Sequence, residues 1–392
     1  MARKSGRVFG PMTELVLAGR DPESQHGFVN PPVVRGSTVL SPTVADLFGR
    51  TGRYSYGRRG TPTSDALADA LKDLEGGAHV ALVPSGLNAV ALSLLATLGA
   101  GDHLLMVDSV YQPTRHLCDT LLRRMGIETT YYDPLVGGHI ADLMRPTTRV
   151  VFTESPGSLT FEVQDIPAIA GAAHARGAAV ILDNTWATPL FFQAHSHGVD
   201  LAVSAGTKYL GGHADVLIGW VSANETYAPA LEAAKGALGL CVSSDDIFLA
   251  LRGMRTLGVR LAHHQAAALR VARWLQSRPE VVRVMHPALE NDPGHALWKR
   301  DFSGASGLFS IELRPAAKPA VASFLDGLQL FGLGYSWGGF ESLAIPFDAR
   351  VSRTASRWAP AGPTVRLNIG LEDVEDLIED LEDGLARYAA AG

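Results

Sequence analysis

Val180-Ile181-Leu182-Asp183-Asn184-Thr185-Trp186 and, a little further on, Leu201-Ala202-Val203-Ser204-Ala205-Gly206-Thr207-Lys208-Tyr209 are the two stretches on which the fold turns. Each opens as a short apolar run and closes on a polar group, as a buried parallel strand does when it delivers a side chain at its end. Asp183 follows Val180–Leu182 directly, and Lys208 follows Leu201–Ser204 through a turn containing Gly206. Open α/β sheets bind ligands outside the carboxyl ends of their strands, so both residues fall where a site is expected. Singly, a turn aspartate and a solvated lysine would be the ordinary reading. Their joint placement, with Gly211-Gly212-His213 behind them, gives the pair its weight.

The same alternation continues on both sides. His79–Val83, His103–Val107 and Arg149–Phe152 read as strands, with Leu87–Leu98, Arg115–Met125 and Ile166–Arg176 as the helices between them. This predicts an α/β fold whose mostly parallel sheet is covered on both faces. Leu201–Ser204 and Val216–Val221 have no helix between them, so at least one is expected to run antiparallel. Upstream, Leu67, Ala68, Leu71 and Leu74 recur at helical spacing until Gly76-Gly77 stops them. Residues 1–60, with Asn30-Pro31-Pro32 and Gly49-Arg50-Thr51-Gly52, have little periodicity and read as an arm, disordered or pinned against another surface.

Downstream of Ser244, Ile247–Arg252 and Leu261–Leu275 suggest a long or interrupted helix. Strands follow at Gly307–Leu313 and Val365–Ile369, and an acidic helix runs from Asp373 to Tyr388. Three units are expected: the arm over 1–60, a domain over 61–255 and a smaller α/β domain over 256–392.

Composition narrows the function classes. The 392 residues exceed the ~250–300 at which single cores tend to divide. A net charge of −6 without a basic block argues against nucleic acid or an anionic membrane as partner. Cys118 and Cys241 are too few for a disulfide framework, which fits a reducing cytoplasm. Met1 to Gly10 is basic but has no apolar region after it, and no stretch has the ~18 apolar residues of a membrane span.

Five elements carry the chemistry. A carboxylate at Asp183 suits a pyridine cofactor, because it keeps the ring nitrogen protonated and the ring electron-withdrawing. Lys208 suits a Schiff base and proton transfer, and Thr207 beside it could reach a phosphate. Pro84-Ser85-Gly86-Leu87-Asn88, between a strand and an apolar helix, offers free amides to a phosphate or is a plain serine-capped turn. Tyr111, shortly after the strand ending at Asp108, could stack on an aromatic ring or be structural. In Tyr54-Ser55-Tyr56-Gly57-Arg58-Arg59-Gly60 the arginines suit phosphate or a solvated turn. Arg366, alone in the apolar run Val365–Ile369, calls for an anion: a substrate carboxylate or a structural partner.

Taken in this order, the elements resemble the fold-type I pyridoxal-phosphate enzymes of cysteine and methionine metabolism. The likeness runs from His26-Gly27-Phe28-Val29-Asn30-Pro31-Pro32 to Gly370-Leu371-Glu372-Asp373. Its signature spans Asp183-Asn184-Thr185-Trp186 through Thr207-Lys208-Tyr209-Leu210-Gly211-Gly212-His213. Tyr56-Gly57-Arg58-Arg59-Gly60-Thr61, Glu154-Ser155-Pro156-Gly157-Ser158 and Tyr335-Ser336-Trp337-Gly338-Gly339-Phe340-Glu341-Ser342 resemble the subgroup of carbon–sulfur β-lyases.

The resemblance implies an aspartate aminotransferase-like large domain with a seven-stranded sheet, and pyridoxal 5'-phosphate as cofactor. It implies Lys208 as the Schiff-base lysine, Asp183 as the pyridinium partner, and Gly86, Leu87 and Thr207 at the phosphate. Lys208 and Tyr111 would be catalytic, with Tyr111 stacked on the ring. Arg366, Ser336 and Trp337 would bind a small sulfur amino acid, with elimination of cystathionine to homocysteine, pyruvate and ammonia as the implied reaction. A homotetramer built of dimers is also implied, in which Tyr56 and Arg58 reach the neighbouring subunit's phosphate. A cysteine or S-alkylcysteine β-lyase, a γ-synthase, a γ-lyase and a non-catalytic binding protein remain alternatives. Two departures stand out: Ala205 where many relatives carry serine, and Val34 where an aromatic residue is expected.

Overall fold

A computed structural model describes residues 9–392 of the chain, so most of the basic stretch at Met1 to Gly10 lies outside the described residues. One sheet contains β1 (His79–Val83), β2 (His103–Val107), β3 (Glu128–Tyr132), β4 (Thr148–Glu154), β5 (Ala179–Asp183), β6 (Leu201–Ala205) and β7 (Gly219–Ala223). Its spatial order is β1-β7-β6-β5-β4-β2-β3. The neighbours from β6 to β3 are parallel, whereas β7 runs antiparallel to both β1 and β6. The segment from β6 to β7 contains no helix, and a parallel return would need a crossover, usually helical.

Buried strands send alternate residues to opposite faces. In β1, Ala81 and Val83 enter the core beneath helix Gly86–Thr97, while Val80 and Leu82 enter a second core with Leu67 and Leu71 of helix Pro62–Glu75. The first of these helices is apolar on most sides, as expected for one wedged between the sheet and helix Ala228–Leu238.

A second, four-stranded sheet holds β8 (Val281–Met285), β9 (Leu308–Leu313), β10 (Leu343–Phe347) and β11 (Thr364–Asn368), antiparallel throughout in the order β10-β11-β9-β8. Helix Leu257–Gln276 links the two parts: Leu257 and Leu261 pack into a core of the large sheet, and Ala268, Val271 and Leu275 into that of the small one.

Several details differ from the sequence reading. The arm contains helices Pro11–Leu17 and Val44–Gly49. Leu15 of the first is buried, and Arg255 donates to the carbonyls of Leu15 and Ala18 at 2.8 and 2.6 Å. The strand expected over Val216–Val221 begins only at Gly219. The helix expected from Arg115 starts at Gln112, with Pro113 in its first turn, and passes into a π turn over Cys118–Leu122.

Candidate active site

Three neighbouring parallel strands end in acids on the same edge: Asp108 follows β2, Glu154 closes β4 and Asp183 closes β5. Glu154 and Asp183 are register partners. Asp183 sits deep but keeps part of its surface open. The Thr185 amide and hydroxyl both donate to its Oδ1, at 3.0 and 2.6 Å, and no hydrogen bond from a described residue falls on Oδ2. Burial raises its carboxyl above the usual range, opposed by the two Thr185 hydrogen bonds and the charge of Lys208.

Lys208 approaches from the turn after β6. Its Nζ donates to Ser336 Oγ at 2.6 Å and lies 5.2 Å from the centre of the Trp337 ring. Burial, helped by the positive charge of Arg366 and opposed by Asp183, lowers its ammonium to about 8. A lysine so placed gives up its proton far more readily than one in water. Ser336 has φ 82°, in the left-handed region where non-glycine residues are uncommon. Both of its ends are engaged, the hydroxyl by Lys208 and the carbonyl by Arg366 Nη2 at 3.0 Å. That carbonyl is Arg366's only hydrogen-bond acceptor among the described residues, and no carboxylate pairs with it. Burial brings its guanidinium down to about 10. The structural ion pair considered for Arg366 is therefore not the arrangement found.

The turn before helix Gly86–Thr97 lies against the same strand ends. Ser85 caps the helix by accepting from the Asn88 amide, and the first-turn amides have no partner within the helix. A Cβ on Gly86 would come 2.5 Å from the Cβ of Ala205, so only glycine lets this turn approach so closely. Leu87 is exposed. Thr207 Oγ1 exchanges hydrogen bonds with the backbone of Ile218, at 3.2 and 3.1 Å, which fixes its rotamer. A cavity of 450 Å³ borders the site at Thr207, Ser336 and Trp337. A larger one, 880 Å³, lies elsewhere around Arg273, His295 and Trp298 and involves none of the expected site residues.

Tyr111 is half-exposed, and its amide donates to Glu154 Oε2 at 2.7 Å. Burial, with the charges of Glu154 and Asp183, raises its phenol, while Arg366 opposes them. Tyr56 and Arg58 are not brought to this site within one chain. Arg58 donates instead to the Gly236 carbonyl at 3.1 Å, beside helix Ala228–Leu238. Val34 is pinned by its backbone to Thr63 and Ser244.

A family model described as Cys/Met metabolism PLP-dependent enzyme matches residues 12–386. The chain belongs to that family. A Rhizobium johnstonii protein provisionally named cystathionine beta-lyase is 53% identical over 385 residues, 97% of each chain. The cystathionine beta-lyase of Salmonella typhimurium is 44% identical over 386 residues, 96% of this chain and 98% of that one. A crystal structure of cystathionine gamma synthase from Xanthomonas oryzae matches with a TM-score of 0.91 at 34% identity, covering 98% of this chain and 100% of that one.

The family's cofactor is pyridoxal phosphate, and the residues present fit it. Asp183 Oδ2 is free to accept from a pyridinium, Lys208 is linked to Arg366 through Ser336, and the turn at Gly86 admits backbone where a side chain would collide. Sequence reasoning assigned no role to Glu154, although the signal that found Asp183, an acid closing an apolar strand, applies equally to it.

Proposed function

We propose that this chain is a carbon–sulfur β-lyase that cleaves L-cystathionine to homocysteine, pyruvate and ammonia. The observation that carries the reading is Arg366, a deeply placed guanidinium without a carboxylate partner, beside a lysine whose proton is easily lost. An amino-acid carboxylate on Arg366 would satisfy that charge and set Cα within reach of Lys208. Pyridoxal phosphate, when bound, supplies the electron sink for charge developing at Cα. Asp183 keeps its ring nitrogen protonated, and Thr207 with the Gly86 and Leu87 amides holds its phosphate. Lys208 Nζ removes the Cα proton, and the thiolate leaves from Cβ. Ser336 and Trp337 line the wall behind that amine and keep it oriented. The likeness to named cystathionine β-lyases over almost the whole chain supports cystathionine as substrate.

The test is a product assay across cystathionine, cysteine and homocysteine. Pyruvate from cystathionine, with little 2-oxobutyrate from any substrate, is expected. Predominant 2-oxobutyrate would place the chain with the γ-eliminating relatives, and turnover of cysteine alone would make it a desulfhydrase.

The domain limits at 60 and 255 belong to the same reading, supported by the separation of the two sheets and by the helix break at Arg255. The arm leaves Phe28, Leu40 and Phe48 largely exposed, which supports burial against other copies in a homotetramer. In that assembly Tyr56 and Arg58 complete the neighbour's phosphate site. Arg58→Ala and Lys208→Ala, both inactive alone, should then restore activity when mixed with verified subunit exchange. Full activity and cofactor affinity in Arg58→Ala alone would refute the shared site. Two free cysteines, one of them exposed, fit a cytoplasmic location. No helix of the described residues is long and apolar enough to cross a membrane.

A further inference from the structure

Glu154 is an expensive group to place where it is. It closes β4 beside Asp183 on β5, so two carboxyls share one corner of the sheet edge. Its side chain makes a single hydrogen bond among the described residues, from the Tyr111 amide at 2.7 Å. The cation facing it, Arg353, is committed to Glu162 at 3.0 Å and to Thr160. Burial first, and the charge of Asp183 second, push the Glu154 carboxyl well above the ordinary range. An apolar residue would avoid that cost, and the one hydrogen bond that such a residue could not make is the one to the Tyr111 amide.

The loop that receives this contact is otherwise held at its beginning. The Asp108 amide donates to Tyr132 and the Val110 amide to Val107, and the Ser109 carbonyl accepts from Ser158. None of those bonds touches Tyr111, whose backbone position depends on Glu154 at its amide and on the helix that starts at Gln112.

We propose that Glu154 is a positioning residue for Tyr111, and that its carboxyl fixes where the phenol ring lies over the bound cofactor. This rests on the reading of Tyr111 as the aromatic group that faces the cofactor. The role needs an acceptor at this point and no negative charge, so glutamine should fulfil it. A purely structural role would lower stability without altering the cofactor's environment.

The experiment uses the holoenzyme and reads the visible circular dichroism per bound cofactor, the rate of cofactor loss on dilution, and Tm. Glu154→Leu, which fills the space but accepts nothing, is expected to change the dichroism and to speed cofactor loss about tenfold, the worth of one lost hydrogen bond. Glu154→Gln is expected to keep both near the parent values. Tyr111→Ala should produce a change of the same kind, and Glu154→Leu added to Tyr111→Ala should produce nothing further. If Tyr111→Ala leaves the dichroism unaltered, the assignment of Tyr111 fails and this inference with it. If Tyr111→Ala alters it while Glu154→Leu does not, or if the two effects add, Glu154 alone is misassigned. Should Glu154→Leu fail to fold, Glu154→Met, which also accepts no such bond, takes its place with the same expectations, and a lost dichroism band in Glu154→Gln at parent-like Tm contradicts positioning by an acceptor.

Discussion

Asp108 and Asp183 mark the ends of two strands of one sheet, separated only by β4, yet they are used in opposite ways. Asp108 is 1% exposed and saturated. It accepts from the amides of Thr354, Ala355 and Ser356 at 2.7 to 3.0 Å, from the Ser356 hydroxyl at 2.7 Å and from Arg115 at 2.6 Å. Asp183 gathers its two hydrogen bonds on one oxygen and leaves the other open. The arginines divide in the same way. Arg115 is paired with Asp108 and lies 3.5 Å from the centre of the Tyr131 ring, whereas Arg366 has no carboxylate. Charge that the fold satisfies holds elements together, and charge that the fold leaves unsatisfied waits for a ligand.

The sharpest way to break this contrast is to delete each aspartate. Asp183→Ala should lower α-deuterium exchange of the substrate by orders of magnitude while leaving Tm nearly unchanged. Asp108→Ala should do the converse, losing about 3–5 kcal/mol of stability because the buried Arg115 loses its carboxylate and three amides of Thr354–Ser356 lose their acceptor. Its exchange rate per folded, cofactor-bound molecule should stay much nearer the parent's. Comparable exchange in Asp183→Ala and parent would remove Asp183 from the mechanism, and a thermally normal Asp108→Ala would end the contrast.

The arginines give a smaller effect. Arg366→Ala should lower kcat/KM about tenfold to hundredfold, chiefly through KM, as the loss of a charge-assisted hydrogen bond implies. Its Tm should change little, since a partly buried charge without a carboxylate is removed along with a single hydrogen bond to the Ser336 carbonyl. Arg115→Ala should destabilise with little change in KM. A KM for Arg366→Ala equal to the parent's would show that the substrate carboxylate binds elsewhere.

Which of these features could be read from the sequence follows from how local each one is. Asp183 could be read because it closes a continuous apolar strand, Lys208 because it lies in the turn directly after one, and Gly86 because its turn joins such a strand to an apolar helix. Asp108 closes a strand of the same kind, but its partners at Thr354–Ser356 lie far along the chain, so nothing nearby distinguishes it from Asp183. The unrecognised strands have physical reasons too. β3 is largely polar, β8 has exposed positions along the sheet edge, and β10 contains Pro346, which an edge strand tolerates and a central one does not. The antiparallel turn of β7 was legible from the missing helix before it. Tyr56 and Arg58 are assigned by motif alone, and within a single chain Arg58 turns to the Gly236 carbonyl instead.

The smallest expected effect tests a third kind of buried carboxyl. Glu75 accepts from Trp220 Nε1 at 2.7 Å on one oxygen and has no partner on the other, and burial raises it to about 7. Its folded value lies above the unfolded one. Its contribution to stability is therefore fully present below the unfolded value and is lost as pH rises through about 7. Glu75→Gln should flatten the decline of Tm between about pH 4.5 and 7 without affecting turnover. An unchanged pH profile would mean that Glu75 is ionised in the native state throughout.

The central claim is that Lys208 carries the cofactor in a site whose charges are left open for it. Reducing the holoenzyme with borohydride, digesting it and locating the pyridoxyl group by mass spectrometry tests this directly. The group is predicted on the peptide containing Thr207-Lys208-Tyr209, with the visible band lost on reduction. A pyridoxyl group on Lys72, Lys235 or any other lysine, with Lys208 unmodified, would contradict the account.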